Sequence, residues 1–257
     1  MLNFSSRIRA AALLVLATFL AYPVPAAAQL RVIISGGFSA AYKELLPQFE
    51  RTTGVSVVTA SGSSQGDGPT SIGAQLRSGA LFDVVILNTT GLADLMAQGR
   101  IVNGSERRLA QVLTGLGVRA GSAALDVGTA DALRQTLRQA KVIATSASSA
   151  NGVKAQLTRL GIADEVTVKV GARFSDANSM VERGEAALSM QPVSEILNMP
   201  GVQLGGTIPT TLRPAGVFVG AIFAGSTRLD DAGRLIAFLA SEAARGAIER
   251  AGMEQPR

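Results

Sequence analysis

The chain has 257 residues and a formal net charge of +5, and it contains neither histidine nor cysteine. That absence excludes a disulfide framework, a thiol nucleophile, a Ser-His-Asp triad and an ordinary zinc site. The 20 arginines and 4 lysines are scattered, with no basic block carrying interleaved aromatics, so nucleic acid is excluded as a partner and small anions suit the arginine preference.

Residues 1–28 read as a secretory signal peptide. Arg7 and Arg9 give a positive start, Ala10 to Ala21 is apolar, and Ala26-Ala27-Ala28 offers a small-residue cleavage site before Gln29. The segment is too short and wrongly flanked to span a bilayer, and no later stretch is long and apolar enough. Cleavage would leave an exported chain of about 229 residues with the charge reduced to +3 by loss of the two arginines. That length admits one large domain or two lobes and enough core to fold without disulfides.

Val32-Ile33-Ile34 is a short apolar strand that stops at Ser35-Gly36-Gly37. Phe38, Tyr42, Leu45, Leu46 and Phe49 then recur at helical spacing until Gly54, and Val55 to Val58 forms a second strand leading into Ser61-Gly62-Ser63-Ser64. In a parallel α/β sheet such turns lie at the carboxyl ends of strands, where ligands bind. The following helix also presents free N–H groups and the positive end of its dipole there, which favours anions. An ordinary strand-to-helix connection capped by Ser39 is the alternative for one such turn; two in succession favour a binding site.

Gln65 to Pro69 is a loop, Ile72 to Arg77 a helix ended by Gly79, and Leu81 to Leu87 a strand buried on both faces. Asn88-Thr89-Thr90 is its polar exit, and Leu92 to Gln98 is a helix closed by Gly99. Gln111 to Leu113 and Leu116 to Arg119 read as strands running between two lobes. Ala130 to Ala140 is a helix with Asp131 near its start and Arg138 near its end, as the dipole prefers. Lys141 to Ala144 is a strand followed by a third Ser/Gly cluster, Thr145 to Gly152, and by a helix from Val153 to Leu160. Val166 to Val170 is a strand, Asp176 to Arg183 a helix, and Ala186 to Met190 a strand ending at Gln191-Pro192. Ser194 to Leu197 is a turn of helix, Val202 to Leu204 a strand, and Pro214 to Ala224 an apolar strand crossing back. Two helices, Leu229 to Leu239 and Glu242 to Ala251, close the chain.

Several stretches together carry a family resemblance. They are Val32 to Glu44, Thr53 to Val57, Ser78 to Val84, Val181 to Ala187 and the closing FLASEAARGAIERAGM, Phe238 to Met253. On them the chain resembles the periplasmic molybdate-binding-protein-like group of type II solute-binding proteins, the receptors of ABC importers. The resemblance implies an α/β fold of two lobes, each a mostly parallel sheet flanked by helices, joined by two crossover strands with the ligand between them. Lobe 1 would comprise residues 30–113 and a return segment, 217–257, and lobe 2 residues 114–216. It also implies a periplasmic monomer that delivers a small anion to a membrane ABC permease without inserting into the membrane, and it implies no cofactor and no metal.

Molybdate receptors of that group hold the oxyanion with neutral donors: a serine in the first turn, another in the second, backbone N–H groups in lobe 2 and a tyrosine near its last strand. Here Gly37 stands at the first-turn serine, with Ser35 and Ser39 on either side, and Pro192 stands at the tyrosine. The second turn keeps Ser61, Ser63 and Ser64 but adds the loop Gln65 to Pro69. These departures point away from a tetrahedral oxyanion. Met190 to Leu197, Pro200 to Val202 and Gly205 to Pro209 resemble a branch that includes aconitate isomerase, which implies a small organic polycarboxylate.

The expected ligand contacts are Ser35, Gly36, Gly37, Ser39, Ser61, Ser63, Ser64, Ser149, Asn151, Gly152, Gln191 and Arg213. A receptor needs only these donors and a hinge. An isomerase on the same scaffold also needs a base to remove a proton from carbon and an acid to return one. Glu195 and Lys154 are the candidates for those roles, with Asp176 and Asp67 behind them. Each has a plainer reading: Glu195 complements a helix dipole, Asp176 caps a helix, Asp67 sits in a Gly-flanked turn, and Lys154 is solvated. Arg173 and Arg213 are the candidates to fork onto a ligand carboxylate, against an exposed surface role.

Overall fold

The computed structural model describes residues 29–197 and 199–256, and the expected signal peptide lies outside the described residues. The first part of the chain runs β1 (Leu30–Ile34), a 3-10 turn (Gly36–Phe38), α1 (Ser39–Thr53), β2 (Val57–Ser61), α2 (Ile72–Arg77), β3 (Val84–Asn88), α3 (Thr89–Ala97) and β4 (Arg107–Val112). The middle continues with β5 (Thr114–Arg119), α4 (Ala130–Ala140), β6 (Val142–Ser146), α5 (Ala147–Arg159), β7 (Thr167–Gly171) and α6 (Phe174–Glu182). It goes on to β8 (Leu188–Pro192), α7 (Val193–Ile196) and β9 (Val202–Thr207). The chain then returns through β10 (Gly216–Ile222) to α8 (Leu229–Leu239) and α9 (Arg245–Arg250).

The strands form two five-stranded sheets of matching plan, ordered β2-β1-β3-β10-β4 and β7-β6-β8-β5-β9. In each, three parallel strands from consecutive strand–helix units sit beside a long-range strand paired antiparallel: β10 against β3 and β4, and β5 against β8 and β9. Leu113 alone separates β4 in one sheet from β5 in the other, and residues 208–215 make the return. The fold is a two-lobed α/β fold.

The apolar runs explain the layers. Alternate residues of a strand point to opposite faces, and these strands are apolar at both sets of positions. Val32, Ile34, Val84 and Ile86 join a core under α1, α8 and α9, whereas Ile33, Val85 and Leu87 join a second core with Ile72 and Leu76 of α2 and Leu92 and Leu95 of α3. In the other lobe α4 and α5 cover one face through Leu133, Leu137, Val153 and Leu157, and Ala177 and Val181 of α6 cover the other.

Some expected boundaries move. β2 begins at Val57 rather than Val55, because Gly54, at φ 69°, closes α1 and its N–H bonds to the Glu50 carbonyl, and Leu30 N–H pairs with the Ser56 carbonyl. The larger correction concerns Thr145 to Gly152, expected as a Ser/Gly turn. Thr145 and Ser146 complete β6, and α5 begins at once at Ala147, so Ser148, Ser149, Asn151 and Gly152 are helical.

Candidate functional site

The carboxyl ends of the parallel strands of both sheets converge. Ser35 follows β1, Ser61 ends β2, Asn88 ends β3, Ser146 ends β6, and Gln191 and Pro192 end β8. Since a single helix starts directly after β3 and another after β6, both α3 and α5 begin where the lobes meet. Asn88 caps α3 by accepting from Gly91 N–H at 2.8 Å. Ser146 at the start of α5 makes no such side-chain bond, which leaves the first-turn donors of a 13-residue helix without a side-chain cap.

A cavity of about 400 Å³ lies between the lobes, lined from one side by Gln65, Asn88, Thr89 and Thr90 and from the other by Ser148, Ser149, Asn151, Gly152 and Gln191. Its charged lining consists of Arg159 and Arg213, with no carboxylate among the described lining residues. Arg213 Nε donates to Thr114 Oγ1 and Nη1 to the Gly152 carbonyl, each at 2.7 Å, so it braces the crossover against α5. Burial, and secondarily the charge of Arg159, pulls its guanidinium below the usual value. Two helix N-termini, Arg213 against the second turn of α5 and Arg159 in its last turn make a site for an anion with more than one charged group.

A smaller cavity is lined by Gly36, Ser61, Ser63, Ser148, Arg173, Phe174 and Glu195, and Ser148 borders both cavities. Phe174 of α6 lies so close over Gly36 that a Cβ on that glycine would sit 2.3 Å from the ring. The two lobes therefore touch here in a closed arrangement. Four polar atoms of the surrounding elements are buried without hydrogen-bond partners: Ser35 Oγ, Gln191 Oε1, Ser194 Oγ and Glu195 Oε2. Burial alone pushes the Glu195 carboxyl up to about 8.

Asn178, wholly buried at the centre of α6, organises this corner. Its Nδ2 donates to the Glu195 carbonyl at 2.7 Å, and its Oδ1 accepts from Ser189 Oγ at 2.9 Å and Gln191 Nε2 at 3.0 Å. Three polar side chains and the backbone of α7 are thus held in one orientation, while Gln191 Oε1 and Glu195 Oε2 stay unpaired.

The expected contacts sort by position. Gly36, Ser61, Ser63, Ser149, Asn151, Gly152, Gln191 and Arg213 line the two cavities, and Ser35, next to Gly36, is buried with its Oγ unpaired. Gly37 is instead a packing glycine, since a Cβ would sit 2.1 Å from the Phe218 ring. Ser39 does not cap α1; its Oγ donates back to the Gly36 carbonyl at 2.7 Å. Ser64 is turned to the junction behind the cleft, where its Oγ accepts from Asn88 N–H. Lys154 is exposed on α5, outside the cavity linings. Asp67 is exposed at a turn, and Asp176 accepts from Arg173 N–H at the start of α6. Glu195 is the candidate base that the fold brings to the cleft.

Sequence reasoning passed over Thr89, Thr90, Ser148, Arg159, Phe174, Asn178 and Ser194 as site residues. A signal existed for Thr89 and Thr90, a polar pair between strand and helix. None existed for Asn178, whose role depends on α7 being packed against α6. Tyr42 lies in the lobe core, its hydroxyl 2.9 Å from Thr59 Oγ1 and its pKa pushed up to about 12, chiefly by burial. It does not replace the missing cleft tyrosine.

Comparison with known proteins agrees with this architecture. The sequence model of a family described as bacterial extracellular solute-binding protein matches residues 30–254. The chain is 33% identical over 231 residues to an aconitate isomerase from a Pseudomonas species, covering 88% of this chain and 87% of that protein. Among solved structures, the periplasmic molybdate-binding protein of Azotobacter vinelandii aligns with a TM-score of 0.72 at 22% identity, over 89% of this chain and all of that one. The sulfate-binding protein SubI of Mycobacterium tuberculosis H37Rv aligns at 0.64 and 17% identity, over 88% of this chain and 86% of that one. With two lobes, two crossovers and a polar cleft between them, the chain belongs to the bacterial extracellular solute-binding proteins.

Proposed function

We propose that this protein captures a small organic polycarboxylate between its lobes. The reading rests on the larger cavity, whose lining holds the starts of α3 and α5, Arg213, and Arg159 from the last turn of α5, with no carboxylate among the described residues. A single tetrahedral oxyanion would engage only part of a cavity of about 400 Å³. A branched chain bearing two or three carboxylates would reach Arg213 and the helix N-termini together. The relative named aconitate isomerase supports the same ligand class. On this reading the mature chain is a periplasmic monomer, dividing into lobes near residues 113 and 216, that hands its ligand to a membrane ABC permease. Among the described residues no helix is long and apolar enough to cross a membrane.

Thermal unfolding tests the ligand class. A ligand present at a hundred times its Kd adds about 2.7 kcal/mol to stability, which for a chain of this size raises Tm by roughly 5–10 °C. Trans-aconitate or citrate should give such a shift, and molybdate and sulfate should not. The converse pattern would overturn the reading.

A second reading, isomerisation of the captured ligand, is favoured by the relative's name over 88% of this chain. It requires only that a group able to carry a proton reach the bound carbon chain. Proton NMR of the protein with trans-aconitate decides it by whether the cis isomer appears.

A further inference from the structure

We infer that Glu195 is the proton-carrying residue of this cleft, moving one proton between two carbons of an unsaturated polycarboxylate and so shifting its double bond. The inference rests on the polycarboxylate reading above and assigns the chemistry to one side chain.

Glu195 is 5% exposed, and its Oε2 has no hydrogen-bond partner. An ionisable group buried without partner or counter-ion is costly and calls for an explanation. Here the side chain borders the small cavity, where the charged neighbour, Arg173, cannot act as a base. Its backbone is fixed at the cleft through the Asn178 Nδ2 bond to the Glu195 carbonyl. A dry, partnerless carboxylate is a stronger base than one in water, and its acid form is a ready donor. Ser148 borders both cavities, so a ligand anchored by a carboxylate at Arg213 would pass Ser148 to bring its carbon chain to Glu195.

The step balances with this one residue. Ionised Glu195 takes a proton from the methylene carbon beside a ligand carboxylate. The released C–H electron pair forms the new C=C bond, and the electrons of the old double bond move to its far carbon. That carbon takes the proton back from Glu195, which returns to the carboxylate. Substrate and product share one formula, and no oxidant, reductant or metal enters.

The test is a proton NMR time course of the full mature chain with trans-aconitate in D2O, run on wild type, Glu195→Gln and Glu195→Asp, with thermal unfolding of each. Wild type should produce cis-aconitate, with deuterium entering the carbon-bound positions to the extent that the proton held by Glu195 exchanges with solvent before its return. Glu195→Gln should lose at least a hundredfold in rate while trans-aconitate still raises its Tm, and Glu195→Asp should keep measurable turnover. A Gln variant within tenfold of wild type would overturn the role of Glu195. Stabilisation of wild type by trans-aconitate without isomer or deuterium uptake would overturn proton transfer and leave the binding reading standing. Stabilisation by molybdate or sulfate alone would overturn both.

Discussion

Glu195 and Asn178 carry opposite burdens in the same corner. Asn178 has every polar atom of its amide engaged, in bonds to Glu195, Ser189 and Gln191. Removing a fully buried amide strands its partners, and we predict that Asn178→Ala lowers unfolding free energy by about 2–4 kcal/mol in a denaturant titration. Glu195 should behave in the reverse sense. Its carboxyl is ordinary in the unfolded chain and held near 8 in the folded one, with burial as the cause and no charged neighbour contributing. The charged groups on the packed elements, Arg173, Asp176 and Glu182 of α6 and its cap and Arg119 of β5, leave that value to burial. Between about pH 4.5 and 8 the folded state therefore holds one proton more than the unfolded state, so this residue's contribution becomes steadily more destabilising as pH rises, and levels off above 8. Glu195→Gln should match wild-type Tm near pH 4.5 and exceed it increasingly up to pH 8. A difference independent of pH would show that the side chain is not desolvated as described.

At the scale of elements, the contact of α6 with the turn after β1 sets how the lobes close. Phe174 occupies the space that a side chain at position 36 would need. Gly36→Ala is predicted to hold the cleft ajar, weakening ligand binding at least tenfold and enlarging the radius of gyration seen by small-angle X-ray scattering. Gly36→Ala combined with Phe174→Ala should recover closure. α7 extends the same coupling, because Val193 packs with the β1–α1 core while Ile196 packs with the α6 core of the other lobe. How far such elements can be read from sequence follows a physical pattern. The bounds of α2, α4 and α8 are plain, since Ser71 and Thr129 supply caps, Gly79 supplies a positive-φ stop and the apolar positions of α8 keep helical spacing. The strands β2, β3, β6 and β8 instead run one to three residues further toward their carboxyl ends than their apolar runs suggest. The ladder continues into the polar residues Ser61, Asn88, Ser146 and Gln191, of which Ser61, Asn88 and Gln191 line the cleft cavities. Hydrophobic patterning stops where the site begins. The start of α5 was hidden for a related reason, because Ser148, Ser149, Asn151 and Gly152 are weak helix formers whose helix is held by Val153 and Leu157 in the core.

Over the whole molecule, arginines divide between ion pairs at the surface and the two that line the larger cavity, which face no carboxylate among the described residues. Surface arginines such as Arg138, Arg245 and Arg250 meet Glu165, Glu242 and Glu44. Arg213 is spent on Thr114 and the Gly152 carbonyl, where it ties the outgoing crossover, α5 and the return segment into one brace. Arg213→Gln should weaken polycarboxylate affinity at least tenfold, about 1.4 kcal/mol, with a shallower salt dependence than wild type. The most direct test of the account is titration calorimetry of the wild-type mature chain with trans-aconitate and, separately, with molybdate. A cleft built for a polycarboxylate should show saturable binding of about one trans-aconitate per chain, with a negative heat-capacity change from closure, and no heat from molybdate. Saturable binding of molybdate with none of trans-aconitate would contradict it.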